Sequence, residues 1–342
     1  MTCFINISSF VFVMERDLPL KEDFEEHYKE LLGDEYEDFI EFSRKYPRKS
    51  FRVNTLNASV DDVTSRLEDE WNLEQIPWCD SGFWLDYKDG ERYDIGNLPE
   101  HQLGYIYVQS ASSMIPVEVL EPEKEDVFLD MCAAPGSKTS HAAAKMDNEG
   151  LIVANDSSGK RLIALGTNLQ RCGVYNVVIT NEKGQNISDE LRYDKILVDA
   201  PCSGTGTINK SLKVLEMWSP NLVNRMVGIQ RQLIKRGFEL LRKGGEMVYS
   251  TCTLEPRENE MIVDELLEEF DNAELLQIDL DVDESETILE HDGERYRDEV
   301  KKTLRIHPHV NESEGFFVAK IRKNEKDSDY TRSPSNRKDN SS

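Results

Sequence analysis

Two cysteines follow short apolar segments in the second half of the 342-residue chain. Cys202 lies in the motif DAPCSGTG, directly after the segment ILV, and Cys252 lies in the motif YSTCT. If both segments are neighbouring strands of a parallel sheet, their carboxyl ends share one edge and the two thiols meet over one substrate. A lone cysteine is usually buried filler. A pair at one edge predicts thiol chemistry.

Methyl transfer to carbon 5 of cytosine is a reaction that needs two thiols. Carbon 5 is a weak nucleophile, and a thiolate that adds to carbon 6 turns it into an enamine carbon able to attack a methyl sulfonium. A base must then remove the proton at carbon 5 so that the first thiolate leaves. The cysteine pKa of roughly 8.5 suits the first role. Asp199, just before the Cys202 motif, can bond the cytosine amino group and N3 and offset charge on the ring.

A second group of small residues follows the apolar segment 127–131 (VFLDM) and predicts a cofactor site. Gly136 tolerates unusual dihedral angles, and the helix N-terminus that follows favours a carboxylate. Asp156 ends the next apolar segment, where an acid suits bonding to ribose hydroxyls. The motifs GxGxxG and GxxxxGK[ST] are absent, which argues against dinucleotides and a P-loop. The predicted contacts are Cys132, Ala133, Ala134, Pro135, Gly136, Ser137, Lys138 and Asp156.

The elements that must position these residues follow from alternating patterns. Strands are predicted at 127–131, 151–156, 177–180, 196–199 and 246–251, and helices at 221–241 and 256–270. Such alternation predicts an α/β fold with a doubly wound, mostly parallel sheet. Strand-like segments between 304 and 322 end this sheet. Upstream, a helix is predicted over 20–42, a strand over 51–56 and a helix over 60–71.

The pattern divides the chain into four parts. Residues 1–19 are interpreted as a leader, with Met14 as an alternative start, because they lack the basic start and cleavage site of a signal peptide. Residues 20–107 form a small α+β domain, and residues 108–322 form the catalytic domain. Residues 323–342 form a polar tail that we expect to be disordered. No run of eighteen apolar residues is present, so we predict a cytoplasmic protein without a membrane span.

The net charge of -25 is unusual for a protein that binds RNA, because phosphate neutralisation drives such binding. The stretch 258–294 holds sixteen acidic residues and no Lys or Arg, which leaves an excess of about 9 for the rest of the chain. We interpret this stretch as a solvated helix face and an acidic loop. Adaptation to a salty cytosol is the alternative. The six cysteines form no CxxC pair and have no His at zinc-finger spacing, so we expect neither a metal nor a disulfide framework.

The motifs together resemble the Sun (Fmu) family of RNA (cytosine-5) methyltransferases. The matching segments are FRVNTL, VQSASSMIP, DMCAAPGSKTSH, AND, DAPCSGTGT, YSTCTLEPRENE and RIHPHVNESEGFFVAKI, which span residues 51–323 in the order typical of the family. The resemblance implies a Rossmann-like S-adenosylmethionine-dependent domain preceded by a small RNA-binding domain. It implies Cys252 as nucleophile, Cys202 as the residue that releases the product, and S-adenosylmethionine at residues 132–138, Asp156 and Asp199. DNA cytosine methyltransferases place the nucleophile in a PC motif, and the presence of both cysteine motifs favours the RNA family.

Two positions depart from the family pattern. Ser137 replaces a usual Gly, which is harmless because Ser caps helices well. At the end of the third strand, where the family has an Asp near the adenine, the chain has Lys183. Asn181 and Glu182 are the candidate substitutes.

The substrate is predicted to be a structured RNA, with tRNA favoured over rRNA because the chain is compact. The target base must leave its stack to reach the cysteines. Candidate phosphate contacts are Arg48, Lys49, Arg52, Lys138, Arg161, Lys210 and Lys213. The protein is expected to be a monomer. Two alternatives are a methyltransferase of the same fold with another substrate and a catalytically impaired RNA-binding or ribosome-assembly factor.

Overall fold

The computed structural model describes residues 16–90, 92 and 94–325. The predicted start at Met14, most of the predicted leader and the tail beyond residue 325 lie outside the described residues. The helices are α1 (Glu22–Leu32), α2 (Tyr36–Arg44), α3 (Val60–Leu67), α4 (Pro99–Gln102), α5 (Ala111–Leu120), α6 (Ser137–Lys145), α7 (Gly159–Arg171), α8 (Lys213–Met217), α9 (Pro220–Leu240) and α10 (Glu260–Glu269). The strands are β1 (Ser50–Val53), β2 (Trp71–Gln75), β3 (Gly82–Tyr87), β4 (Ile106–Val108), β5 (Val127–Asp130), β6 (Leu151–Asn155), β7 (Val177–Thr180), β8 (Tyr193–Asp199), β9 (Leu241–Thr251), β10 (Ala273–Leu276), β11 (Glu290–His291), β12 (Glu294–Arg295), β13 (Leu304–Ile306) and β14 (Phe316–Lys323).

A mostly parallel sheet forms the centre of the catalytic part. Its strand order is β10-β14-β9-β8-β5-β6-β7, and β13 pairs with β14. The five strands from β9 to β7 run parallel. Strand β14 runs antiparallel to β9, and both β10 and β13 pair antiparallel with β14. From β5 the chain passes to β6 and β7 on one side. It then returns to β8, which lies on the other side of β5. Ligands bind at such a switch point, outside the carboxyl ends of the strands.

A four-stranded antiparallel sheet of order β2-β3-β1-β4 precedes the catalytic part. Its core is apolar and includes Phe51, Val63, Trp71 and Ile106. The helices α1 and α2 do not join this core. Their buried aromatic side chains pack against catalytic-part residues such as Trp218, in a separate cluster. The first helices therefore belong structurally with the catalytic part, although they precede the small sheet in sequence.

The fold class predicted from the sequence is confirmed, and the predicted strands are all present, with shifted ends except for β7, whose ends are those predicted. The predicted helix over 20–42 is two helices, α1 and α2, joined by a short 3-10 turn at Gly33–Glu35. Helix α5, which is buried on almost all sides and contains Pro116, was not predicted from the sequence. Its position explains the pattern, because α5 packs against α6, β9, β14 and β8. No helix among the described residues is long and apolar enough to cross a bilayer.

Candidate active site

The two predicted cysteines lie side by side. Strands β8 and β9 are parallel neighbours, and their registered ends place Asp199 opposite Ser250. The Sγ atoms of Cys202 and Cys252 lie 3.2 Å apart. The loop after Cys202 folds back on the loop after Cys252, since the Gly206 amide donates to the Cys252 carbonyl at 3.0 Å. A Cβ at Gly206 would lie 2.3 Å from the Gly315 carbonyl oxygen, so only Gly fits there.

The two thiols differ in their surroundings. The hydrogen bond with Cys252 and burial both raise the pKa of the Cys202 thiol well above its usual range. Cys252 also lines the large cavity described below, which Cys202 does not. Its position at this cavity makes Cys252 the more suitable nucleophile of the two.

The backbone around Cys202 is held by two buried side chains that the sequence analysis did not identify. Gln230 on α9 donates through Nε2 to the Pro201 carbonyl at 2.9 Å and to Glu258 Oε2 at 2.8 Å. The same Glu258 oxygen accepts from the Ser203 amide at 3.0 Å. Glu258 and Glu260 are fully buried, so the interpretation of residues 258–294 as a solvated face is wrong for these two. Charge counting could not have distinguished them from exposed glutamates.

Glu258 should make stability depend on pH. Burial raises the pKa of its carboxyl from 4.5 to about 7, because the bonds from Ser203 and Gln230 only partly offset the lost hydration. The folded protein therefore holds a proton that the unfolded chain releases above pH 4.5, and stability falls as pH rises from 4.5 to 7. Glu258→Gln keeps an acceptor oxygen but cannot ionise. We expect it to gain up to about 3 kcal/mol on the wild type between pH 5 and pH 8.

Urea unfolding at both pH values measures this difference. Glu268→Gln is the matched control, because Glu268 is exposed on α10, the helix that begins two residues after Glu258. The control should follow the wild type at both pH values. Parallel pH profiles for Glu258→Gln and the wild type would contradict the prediction.

A cavity of about 620 Å³ opens at the carboxyl ends of β5 and β8, beside Cys252. Its volume lies in the range of small-molecule sites. It is lined by the predicted cofactor residues Cys132, Ala133, Ala134, Pro135, Ser137, Lys138 and Asp199. Gly136 does not line it but forms the turn into α6 with a φ of 105°. A Cβ there would lie 3.0 Å from a Leu165 methyl group.

The residues around this cavity fit a cofactor with hydrogen-bond donors. Asp130 lines the cavity, and its Oδ1 atom is buried without a hydrogen-bond partner among the described residues. Burial raises the pKa of this carboxyl to about 7, an effect that the Thr139 hydroxyl only partly opposes. An unpaired buried acceptor of this kind is costly unless a ligand supplies a donor. The sequence analysis did not single out Asp130, although it ends the first strand of the sheet.

Asp199 is held in place by two neighbours. Its Oδ2 accepts from Lys138 Nζ at 2.7 Å, and its Oδ1 accepts from Ser250 Oγ at 2.9 Å. Lys138 is almost fully buried and also donates to Ser113 Oγ at 3.1 Å. The ammonium group thus lies inside the cavity, and the predicted phosphate contact for Lys138 requires a phosphate that enters it.

Asp156 is placed differently from the expected ribose contact. Its carboxylate accepts from the Ser158 amide at 2.8 Å and the Ala134 amide at 3.3 Å, and it forms an ion pair with Arg161 at 3.1 Å. It does not line the cavity. The role of Asp156 in cofactor binding therefore stays a prediction. At the third strand end, Asn181 donates to the Asp156 carbonyl at 2.7 Å, and Lys183 is exposed.

Five of the seven candidates for RNA contacts lie around the same cavity: Arg48, Lys49, Lys138, Arg161 and Lys210. The Arg48 guanidinium forms ion pairs with the carboxylates of Glu74 at 2.5 Å and Asp86 at 3.1 Å. An incoming phosphate must therefore compete with two carboxylates. The prediction that Arg52 contacts a phosphate is wrong. It is fully buried, and its guanidinium bonds to Gln109 at 3.3 Å and Ser140 at 3.0 Å, so it cannot reach a phosphate.

Two groups of described side chains have the atoms to ligate a metal ion. One is Glu35 with His307 and His309, and the other is Cys79 with Glu118 and His141. None of these residues lines the cavity beside Cys252. The expected absence of a metal from the reaction stays a prediction.

Comparison with known proteins identifies the family. The model of the 16S rRNA methyltransferase RsmB/F family matches residues 117–322. The model of the N-terminal domain of 16S rRNA methyltransferase RsmF matches residues 20–111. The chain belongs to the RsmB/F family.

Relatives of this RsmB/F chain include both tRNA and rRNA enzymes. A tRNA (cytosine(49)-C(5))-methyltransferase of Pyrococcus abyssi is 42% identical over 312 residues, which cover 89% of this chain and 98% of that protein. A ribosomal RNA small subunit methyltransferase F of Aliivibrio fischeri is 44% identical over 294 residues, which cover 84% of this chain and 60% of that protein. The chain thus spans about 60% of the length of the latter relative.

Solved structures agree with the family assignment. A methyltransferase homolog from Pyrococcus horikoshii is 37% identical with a TM-score of 0.80, over 89% of this chain and 96% of that one. NSun6 from Pyrococcus horikoshii, solved with the S-adenosylmethionine analogue SFG, is 26% identical with a TM-score of 0.78, over 90% and 99% of the two chains. The comparisons confirm the predicted enzyme class, an S-adenosylmethionine-dependent RNA (cytosine-5) methyltransferase.

Proposed function

We propose that this RsmB/F-family chain methylates carbon 5 of a cytosine in tRNA, with Cys252 as nucleophile and Cys202 as the base that releases the product. The thiol pair beside the cavity, with 3.2 Å between its sulfurs, carries the mechanism. The choice of tRNA is supported by the tRNA (cytosine(49)-C(5))-methyltransferase of Pyrococcus abyssi, whose match covers 89% of this chain at 42% identity.

The first step uses the thiolate on Cys252. Its sulfur bonds to carbon 6 of the flipped cytosine, the double bond between carbons 5 and 6 breaks, and the electron pair becomes available at carbon 5. Asp199 lies at the cavity between Lys138 and Ser250, where its carboxylate can bond the cytosine amino group. S-adenosylmethionine held at the cavity by Asp130 and residues 132–138 would supply an electrophilic methyl group for carbon 5 and would leave as S-adenosylhomocysteine.

The second step uses Cys202. Once Cys252 is bonded to carbon 6, the thiolate charge that helps to raise the Cys202 pKa is gone, and Cys202 can lose its proton. Its thiolate then takes the proton from carbon 5, the double bond reforms and the Cys252 sulfur leaves. Cys252 thus ends as a thiolate and Cys202 as a thiol, as at the start, and the one net proton released is the one that Cys202 lost.

Bisulfite sequencing tests the substrate. Unmodified tRNA transcripts and unmodified 16S rRNA are incubated with the purified chain and S-adenosylmethionine, with Cys252→Ala as control. We expect one protected cytosine in tRNA, none in rRNA and none with the control. Protection in rRNA alone would overturn the choice of tRNA, and protection in neither would favour the RNA-binding or assembly factor.

Cytoplasmic location, a monomeric state and a metal-free reaction belong to the same proposal. tRNA and S-adenosylmethionine are both available in the cytoplasm, and no step above requires a Lewis acid. Light scattering of the purified chain tests the monomeric state, and an activity assay after treatment with a chelator tests the metal-free reaction. If a chelator abolishes activity and added zinc restores it, the proposal of a metal-free reaction is overturned.

A further inference from the structure

Helix α1 reaches the two loops that carry the cysteines. Tyr28 on this helix is fully buried. Its hydroxyl oxygen lies 2.7 Å from Thr205 Oγ1 and 2.8 Å from Glu255 Oε1. Thr205 belongs to the Cys202 motif, and Glu255 follows the Cys252 motif. One phenol hydroxyl thus bonds to both cysteine-bearing segments.

The hydrogen bonds continue from Thr205 to the residues next to the cysteines. Thr205 Oγ1 lies 3.0 Å from Thr253 Oγ1, and Thr253 Oγ1 lies 2.7 Å from Ser203 Oγ. Ser203 directly follows Cys202, and Thr253 directly follows Cys252. All of these side chains are buried. Four hydroxyls and one carboxylate therefore join α1 to both cysteine loops.

The number of protons available fixes the donor and the acceptor of each bond in this series of hydrogen bonds. Each hydroxyl has one proton, and an ionised carboxylate only accepts. Burial raises the pKa of Glu255, but hydrogen bonds from His27, Trp218 and Tyr28 outweigh it, so the pKa is lowered and the group is ionised. Tyr28 must then donate to Glu255 and accept from Thr205. It follows that Thr253 donates to Thr205 and Ser203 donates to Thr253, so every bond points towards Glu255.

We propose that Tyr28 is a positioning residue for the cysteine pair, because its hydroxyl is the link through which Glu255 orients the Thr205, Thr253 and Ser203 hydroxyls. Aligned hydrogen bonds polarise one another, and a buried network of this kind is rigid only when every member is satisfied. Removal of the Tyr28 hydroxyl leaves Thr205 without its acceptor. The hydroxyls beside both cysteines can then reorient, and the sulfurs lose their fixed separation. This inference rests on the proposed roles of Cys202 and Cys252.

The hydroxyl can be removed without loss of the ring. The Tyr28 ring stacks on Phe24 at 4.3 Å and on Phe39 at 5.7 Å, and it meets Trp218 edge-on at 6.1 Å. Phe keeps all three contacts. Tyr36 on α2 supplies a matched control, because it is also buried but its hydroxyl has no hydrogen-bond partner in the part of the chain that the structure describes.

Single-turnover methylation of an unmodified tRNA transcript by the full chain tests the proposal. We expect Tyr28→Phe to lower the rate constant by about ten- to a hundredfold. The KM for tRNA and S-adenosylmethionine should stay unchanged, and Tyr36→Phe should match the wild type throughout. A Tyr28→Phe rate equal to that of the wild type, or a loss confined to KM, would overturn the proposal. A wild type that modifies no cytosine would overturn the proposed function as well.

A second pair of variants decides the question if Tyr28→Phe does not fold. Thr205→Val removes the hydroxyl in the middle of this series of hydrogen bonds, and Thr205→Ser keeps it. We expect the Ser variant to retain the rate constant and the Val variant to lose it by a similar factor. Equal rates for the two variants would overturn the proposal.

Discussion

A Cys202→Ala variant incubated with S-adenosylmethionine and RNA is expected to accumulate a covalent protein–RNA adduct, whereas Cys252→Ala forms none. Without Cys202 the proton at carbon 5 is not removed, so the bond between Cys252 and carbon 6 persists after methyl transfer. Without Cys252 that bond never forms. Turnover should fall on the order of a thousandfold or more in either variant, since each step depends on one thiol. A denaturing gel shows the adduct, and sequencing of the trapped RNA identifies the substrate.

Cys172→Ala is the control for this experiment. Cys172 is a buried free cysteine outside both motifs, and its loss should leave turnover intact without trapping RNA. An adduct with Cys252→Ala alone would mean that the two roles are exchanged. If neither variant traps RNA and the wild type transfers no methyl group, the chain is an RNA-binding or assembly factor.

The meeting of the two cysteines could be predicted from the sequence because sheet topology is a strong constraint. Strand β8 ends just before Cys202 and β9 just before Cys252, and parallel neighbours bring their carboxyl ends to one edge. The apolar segments and the motifs that follow them are local signals. Local signals therefore sufficed for the position of the pair.

The partners of buried polar groups could not be predicted in this way. Arg52 lies in a basic segment and resembles a phosphate contact, but its bonds are to Gln109 and Ser140, 57 and 88 residues further along the chain. Tyr28 lies 177 residues before Thr205. Glu258 is acidic like its neighbours, yet Gln230 and the Ser203 amide hold it in the interior. Such contacts depend on tertiary packing, which leaves no periodic pattern in the sequence.

The largest loss of stability is expected from Arg305→Met. Arg305 and Glu260 form an ion pair in which both side chains are fully buried. The guanidinium donates to Glu260 Oε1 at 2.7 Å, to Glu260 Oε2 at 2.6 Å and to the Leu254 carbonyl at 2.9 Å. Removal of the cation leaves a buried carboxylate without its partner. We expect the free energy of unfolding in urea at pH 7 to fall by about 3–5 kcal/mol.

An exposed ion pair provides the control for this measurement. Arg242 pairs with Asp194 at the surface, so Arg242→Met should cost at most about 1 kcal/mol. A similarly small cost for Arg305→Met would contradict the prediction. That outcome would mean that water or local rearrangement hydrates Glu260 once the guanidinium is removed.

The double variant Glu260→Leu with Arg305→Met separates two causes of the loss. If the cost of Arg305→Met comes mainly from the stranded carboxylate, removal of Glu260 as well should restore part of the stability, and the two single costs should sum to more than the double. If it comes from the bond to the Leu254 carbonyl, the double variant should be no more stable than Arg305→Met. Arg305 lies in the segment RIHPH and Glu260 in PRENE, so their pairing gives these two motifs a common role: they fix the backbone at Leu254, two residues after Cys252.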